Sequence, residues 1–289
     1  MLLSAFHKFK GSLWLPGILL IMPFSSITSA QTLRLCEQPA AQCTAIIYHE
    51  SSNTSQYYNT KRSQERFSPF STFKVPNSVI FLEEGLVNSF SQMLDFDRAQ
   101  YPPEGWWPES WQRTPMTFRQ ALQRSAVPIY RSLSSEVGAQ KMAKWLETFD
   151  YGNQDISAGI DTFWLGASLK ISAREQIQFL RRLRAGEFNV REASLAALQE
   201  MMLVEKREDY LLYAKTGAGN LPAGGAIGWY VGWLDRGTDR QYFALNVSAA
   251  TFSELLAERA TLIELLVQEL TDAPSSHWAN RKWGLGGRS

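Results

Sequence analysis

What most constrains this chain is where its strand-like segments fall. TAIIYHES and QYYNT lie near the start, rich in β-branched and aromatic residues and parted by the turn-forming Ser51, Ser52 and Asn53. The second β region lies far downstream, in YLLYAKTG (210–217), AIGWYVGWLD (226–235) and QYFALNVSAA (241–250), separated by AGNLPAGG and RGTDR. Between the two groups, 71–87, 117–132, 138–149, 173–183 and 191–202 space apolar residues three and four apart, as helices do. A last helix from about Ser253 to Thr271 sets Leu255, Leu256, Leu262, Leu266 and Leu270 on or near one face, to pack on the sheet. The expectation is an α+β fold: an antiparallel sheet built from both chain ends, a terminal helix on it, and an inserted all-helical part. Distant strands then meet at the seam with the helices, a natural place for a site.

Length and composition narrow the class. At 289 residues the chain fills one large domain or two interlocked subdomains. The formal charge is +1 and no block of like charge occurs, which disfavours nucleic acid and points to a small partner. His7, Lys8 and Lys10 precede an apolar run from about Leu13 to Phe24, followed by Thr28-Ser29-Ala30, the pattern of a cleavable export signal. The run is short, is interrupted by Pro16 and Pro23, and has no basic stop-transfer flank. We therefore expect a leader over 1–30 and one domain over 31–289, its sheet region at about 31–66 and 205–275 and its helical region at about 67–204. Cys36 and Cys43 are the only cysteines; export permits a disulfide, which would close a small loop and fix only the N-terminal segment. No zinc-ligand spacing occurs.

Chemistry has few histidines to draw on. Only His7, His49 and His277 exist, and neither a G-x-S-x-G elbow nor H-E-x-x-H is present, so a serine nucleophile here needs another base. Ser71 and Lys74, in PFSTFKVPN, fall three apart at the start of a helical pattern. They are either an N-cap with a solvated lysine, or a nucleophile and base sharing one face of a first turn whose free N–H groups favour developing negative charge. Burial can lower a lysine by several pKa units and so leave it a base. Ser125-Ala126-Val127 offers a second hydroxyl, Tyr151-Gly152-Asn153 reads as a turn closing a helix, and Lys215-Thr216-Gly217 ends a strand with a cation, a hydroxyl and bare backbone. YPPEGWWPESWQ (101–112) is an ordered loop rich in Trp and Pro.

S-x-x-K with K-T-G is the signature of penicillin-recognising serine enzymes. S-T-F-K, S-A-V, Y-G-N and K-T-G in that order, followed by G-W-Y-V-G-W, resemble the class D (OXA-type) β-lactamases; the resemblance runs from about Phe67 to Arg259 and includes DISAGIDTFWLGASLKIS. It implies that Ser71 opens the β-lactam ring to an acyl-enzyme and that Lys74, carboxylated by CO2 or bicarbonate, is the general base. Phe73, Val127, Trp164 and Leu165 would supply the desolvated pocket, with the Trp164 indole donating to the carbamate. Ser125 would pass a proton to the leaving nitrogen beside Lys215; Thr216, Gly217 and Arg259 would hold the substrate carboxylate. The N–H groups of Ser71 and Ala218 would form the oxyanion hole, and the loop AGNLPAGGAI would help select side chains. No S-D-N element suggests class A, and no metal or other cofactor is implied.

Two other readings share the fold: a penicillin sensor that is acylated without turnover, and a penicillin-binding transpeptidase with further domains and an anchor. The leader argues for a free exported enzyme, periplasmic or secreted, a monomer or homodimer detached from the membrane once the leader is removed.

Overall fold

A computed structural model describes residues 35–36 and 42–272. The leader and His277 lie outside the described residues. In chain order the elements are β1 (Cys43–His49), β2 (Thr54–Tyr58), α1 (Lys74–Glu83), β3 (Met93–Leu94), α2 (Glu109–Gln112), β4 (Met116–Thr117), α3 (Phe118–Gln123), α4 (Val127–Val137), α5 (Ala139–Phe149), α6 (Ala173–Arg184), α7 (Glu192–Met202), β5 (Leu203–Lys206), β6 (Leu211–Asn220), β7 (Ala226–Arg236), β8 (Asp239–Ala249) and α8 (Phe252–Asp272).

The large sheet runs β2-β1-β8-β7-β6-β5, every neighbouring pair antiparallel, so the first strands pair onto the last, as the sequence pattern requires. Both faces are covered. Toward the helical region, Trp229, Val231 and Trp233 of β7 join one large apolar cluster; on the other face Tyr230 and Leu234 join a second under α8. This is why β7 reads as an unbroken apolar run. On α8, Leu255, Leu262, Leu266 and Leu270 are buried, whereas Leu256 is exposed, one position off the stripe.

Cys36 and Cys43 form a disulfide, and both are buried in the cluster beneath α8, so the bridge belongs to the core and not only to the N-terminal segment. Three boundaries differ from the sequence pattern, and each bears on the site. The run 117–132 breaks into α3 and α4 at Arg124-Ser125-Ala126, where Ser125 takes a positive φ of 56°. Lys215-Thr216-Gly217 lies in the middle of β6, which continues to Asn220 because β7 pairs with it throughout. Ser71 is not an N-cap: it sits in a 3-10 turn, Phe70–Phe73, that leads into α1, whose N-cap is Phe73 with no side-chain cap bond.

Candidate active site

Strand alternation sorts the residues of the middle of β6. Tyr213 packs with the helices and Ala214 with α8, so Lys215 shares the helical face and Thr216 the α8 face. β5 pairs only with Leu211, Leu212 and Tyr213, which leaves the edge from Ala214 onward without a neighbouring strand. The Ser71 turn packs against that stretch. A Cβ at Gly217 would lie 2.7 Å from the Pro69 carbonyl oxygen, so only glycine admits so close an approach. At Gly219 the space is taken by the ring of Phe70, whose φ of 47° is unusual for phenylalanine and turns the backbone into Ser71.

Lys74 Nζ donates to Ser71 Oγ at 3.1 Å. The lysine is fully buried; burial, and secondarily the charge of Lys215, hold it well below the usual lysine range, which favours the neutral amine. Its surroundings are aromatic. The Tyr130 ring lies 5.1 Å from Nζ, and the preceding Phe73 packs on Tyr151, Phe163 and Trp164 at 5.4, 5.1 and 5.6 Å between centroids. The Trp164 indole nitrogen is buried with no hydrogen-bond partner. A donor in that state costs stability unless something accepts from it. Val127 is buried at the start of α4, and Leu165 is half-buried against the helical-side core.

Lys215 Nζ donates to Ser125 Oγ at 2.5 Å and to the Thr216 carbonyl at 2.9 Å, tying the strand to the turn between α3 and α4. Burial and the nearby Arg259 push it down to about 7. Arg259, on α8, donates from Nη1 to the Gly217 carbonyl at 2.8 Å; burial lowers it from the ordinary arginine value. Thr216 and Ala218 are half-buried on the open edge. Ser71, Lys74, Ser125, Lys215, Gly217 and Arg259 are thus joined in one region drawn from the 3-10 turn, α1, the α3–α4 turn, β6 and α8. His49 is at the end of β1, three strands from β6 and so roughly 14 Å away across the sheet, too far to serve Ser71 as a base. Among the described residues no cluster of metal-ligating side chains occurs.

Tyr151-Gly152-Asn153 has a supporting position. The helix before it ends at Phe149 with Asp150, not glycine, in the left-handed conformation. Asn153 Nδ2 donates to the Ser168 carbonyl and its Oδ1 accepts from the Lys170 N–H, fixing the segment after Trp164. The Tyr151 hydroxyl donates to Gln176 Oε1, and Gln176 Nε2 donates to Thr72 Oγ1, one residue from Ser71. Ser68 joins the Trp164 loop to the sheet: its hydroxyl donates to the Trp164 carbonyl, and its own carbonyl accepts from the Trp229 indole. Trp111, in the Trp/Pro stretch, donates from its indole to the Arg124 carbonyl at 2.7 Å and so holds the turn that carries Ser125. Lone serines, glutamines and tryptophans carry no spacing signal, so Ser68, Gln176, Trp111 and Tyr130 are not found by motif.

The family model for the penicillin binding protein transpeptidase domain matches residues 38–264. The chain is 35% identical over 229 residues to the β-lactamase OXA-48 of Klebsiella pneumoniae, covering 79% of this chain and 84% of that protein. It is 32% identical to the β-lactamase OXA-10 of Pseudomonas aeruginosa, covering 78% and 83%. Among solved structures, FUS-1 (OXA-85), a class D β-lactamase from Fusobacterium nucleatum subsp. polymorphum, superposes with a TM-score of 0.74 at 29% identity, covering 82% of this chain and 96% of that one.

Proposed function

This chain belongs to the class D β-lactamases and is a β-lactam hydrolase, and from that premise we propose that Lys74 works as an N-carboxylated lysine. One observation carries the reading: a fully buried lysine whose proton affinity burial lowers follows Phe73, whose ring packs on Trp164, and the Trp164 indole N–H has no acceptor. A neutral amine attacks CO2 through its lone pair, forms the N–C bond and loses a proton, giving a carbamate. Phe73 and Trp164 shield that group from water, and the indole N–H supplies the hydrogen bond an anion needs there.

In acylation the carbamate takes the Ser71 proton as Oγ attacks the lactam carbonyl. The N–H groups of Ser71 and Ala218 receive the oxyanion, and Ser125, bonded to Lys215, delivers a proton to the departing nitrogen. Thr216, Gly217 and Arg259 hold the substrate carboxylate. In deacylation the same carbamate takes a proton from water, which attacks the ester and frees Ser71. No metal or separate cofactor enters these steps; bicarbonate, through CO2, supplies the carbon and both oxygens of the carbamate group.

The leader pattern and the Cys36–Cys43 disulfide support export to an oxidising compartment such as the periplasm. The test of the mechanism is turnover of a chromogenic cephalosporin before and after bicarbonate is stripped at mildly acidic pH. A reversible fall in rate, restored by bicarbonate, is expected; a rate indifferent to bicarbonate refutes the carbamate. Stoichiometric acylation without turnover supports the sensor instead.

A further inference from the structure

The residues just before Ser71 grip the loop that carries Trp164. Ser68 does so with its hydroxyl, which donates to the Trp164 carbonyl at 3.0 Å and accepts from the Gly166 N–H at 2.9 Å. Phe70 does so with its ring. A Cβ added at Gly166 would lie 3.2 Å from the ring's Cζ, and one added at Gly219 of β6 would overlap Cε1 and Cδ1. One glycine in the Trp164 loop and one in β6 thus leave room for a single phenyl ring between them. Gly166 takes a φ of 90°, which calls for glycine on backbone grounds alone. Gly219 has no such φ, so its missing side chain answers to the ring.

Ordinary core packing does not account for this ring. Phe70 takes a φ of 47°, a costly conformation for any residue with a Cβ. It is 6% exposed, yet among the described residues it belongs to neither of the two large apolar clusters. The gap it fills is bounded by the Ser71 turn, the Trp164 loop and the end of β6. Gly217 and Gly219 share the helical face of β6, as alternate residues do; the Pro69 carbonyl lies on the first and the Phe70 ring on the second. The strand therefore seats the turn, and the ring sets the spacing between turn and loop. We propose that Phe70 is a positioning residue for the reaction: its ring, wedged between Gly219 and Gly166, holds the Trp164 loop in register with Ser71 and Lys74. What the ring does for Lys74 rests on the carbamate reading; what it does for Ser71 does not.

A double-mutant cycle between Phe70 and Gly219 tests this, read by kcat/KM for a chromogenic cephalosporin and by the bicarbonate concentration giving half-maximal turnover. Gly219→Ala alone drives a methyl into the ring, which is backed by Gly166 and yields only by moving the loop or the turn. It is expected to lower kcat/KM about tenfold or more. Phe70→Ala keeps the Cβ, and so the backbone cost, but removes the ring; kcat/KM is expected to fall about tenfold and the bicarbonate requirement to rise about threefold. Adding Gly219→Ala to that variant places the methyl in vacated space and is expected to change kcat/KM by less than about twofold. Additive effects of the two substitutions overturn the proposal. So do wild-type kinetics in a folded Gly219→Ala variant, an arm that stands even where Phe70→Ala folds badly. A lower melting temperature with unchanged kinetics in Phe70→Ala also overturns it, since a ring that only packs moves stability alone. A wild-type enzyme indifferent to bicarbonate refutes the carbamate and leaves the cycle in kcat/KM to decide on Phe70.

Discussion

Lys215 reaches across from the middle of a strand to donate a 2.5 Å hydrogen bond to Ser125, which sits at positive φ in the break between two helices. Two segments ninety residues apart thus share one proton-bearing contact. Burial and Arg259 bring the lysine to about 7, so near neutral pH it holds or releases its proton with little free-energy difference, as a relay partner requires.

That shift has a stability signature. With its native value depressed below the ordinary 10.5, Lys215 binds fewer protons folded than unfolded between about pH 7 and 10.5. Stability therefore rises with pH across that window, by roughly 2–3 kcal/mol from pH 7 to 9 for this one group. Denaturant titrations at the two pH values measure it. Lys215→Met is expected to flatten the rise, leaving only what Lys74, shifted in the same direction, contributes; an unchanged slope contradicts the assignment.

Trp164→Phe separates the indole N–H from the aromatic bulk. The nitrogen has no partner in the unmodified protein, so its loss is expected to leave stability without bicarbonate unchanged or up to about 1 kcal/mol higher. Activity should respond differently: the bicarbonate concentration giving half-maximal turnover is expected to rise about tenfold, the worth of one charge-assisted hydrogen bond. A variant that needs no more bicarbonate than wild type removes Trp164 from the carbamate site.

Gly217→Ala tests the fit between β6 and the 3-10 turn that carries Ser71. The new Cβ would meet the Pro69 carbonyl oxygen at 2.7 Å and the Thr72 nitrogen at 3.1 Å, both backbone atoms that move only by shifting Ser71. We expect a loss of about 1–3 kcal/mol in stability and about a hundredfold in kcat/KM, because small displacements of a positioned nucleophile are costly. Melting and steady-state kinetics on one preparation check both.

What the sequence made legible follows from periodicity and order. Strand patterns at both ends predicted one sheet built from the two chain ends, which the β1–β8 pairing closes, and the four motifs in their order pointed to Ser71, Lys74, Ser125 and Lys215, which the fold brings into two hydrogen-bonded pairs. Local breaks were not legible. The apolar spacing around Ser125 continues through the turn, since Leu122 and Val127 both face the core, so nothing in the pattern marks the interruption. The 3-10 turn at Ser71 depends on a close approach to Gly217, a tertiary contact that helix spacing does not encode. The same holds for Trp111 and Gln176, whose roles are single hydrogen bonds to Arg124 and Thr72.

Arg259 couples binding to proton affinity. Its guanidinium donates to the Gly217 carbonyl, and it is the charge that, after burial, lowers Lys215. Arg259→Ala removes a charged donor from the end of the site proposed to hold the substrate carboxylate, so KM is expected to rise roughly ten- to hundredfold, with a smaller fall in kcat. Arg259→Lys keeps the charge but not the planar fork and should recover only part of the affinity. The two variants also differ in pH dependence. Without the neighbouring cation Lys215 holds its proton more tightly, so the pH limb that it controls moves upward in the alanine variant; in the lysine variant the limb stays near the wild-type position. Profiles of kcat/KM against pH for the three proteins decide it: a raised KM with an unmoved limb in Arg259→Ala would leave Arg259 a carboxylate anchor and remove it from the control of Lys215.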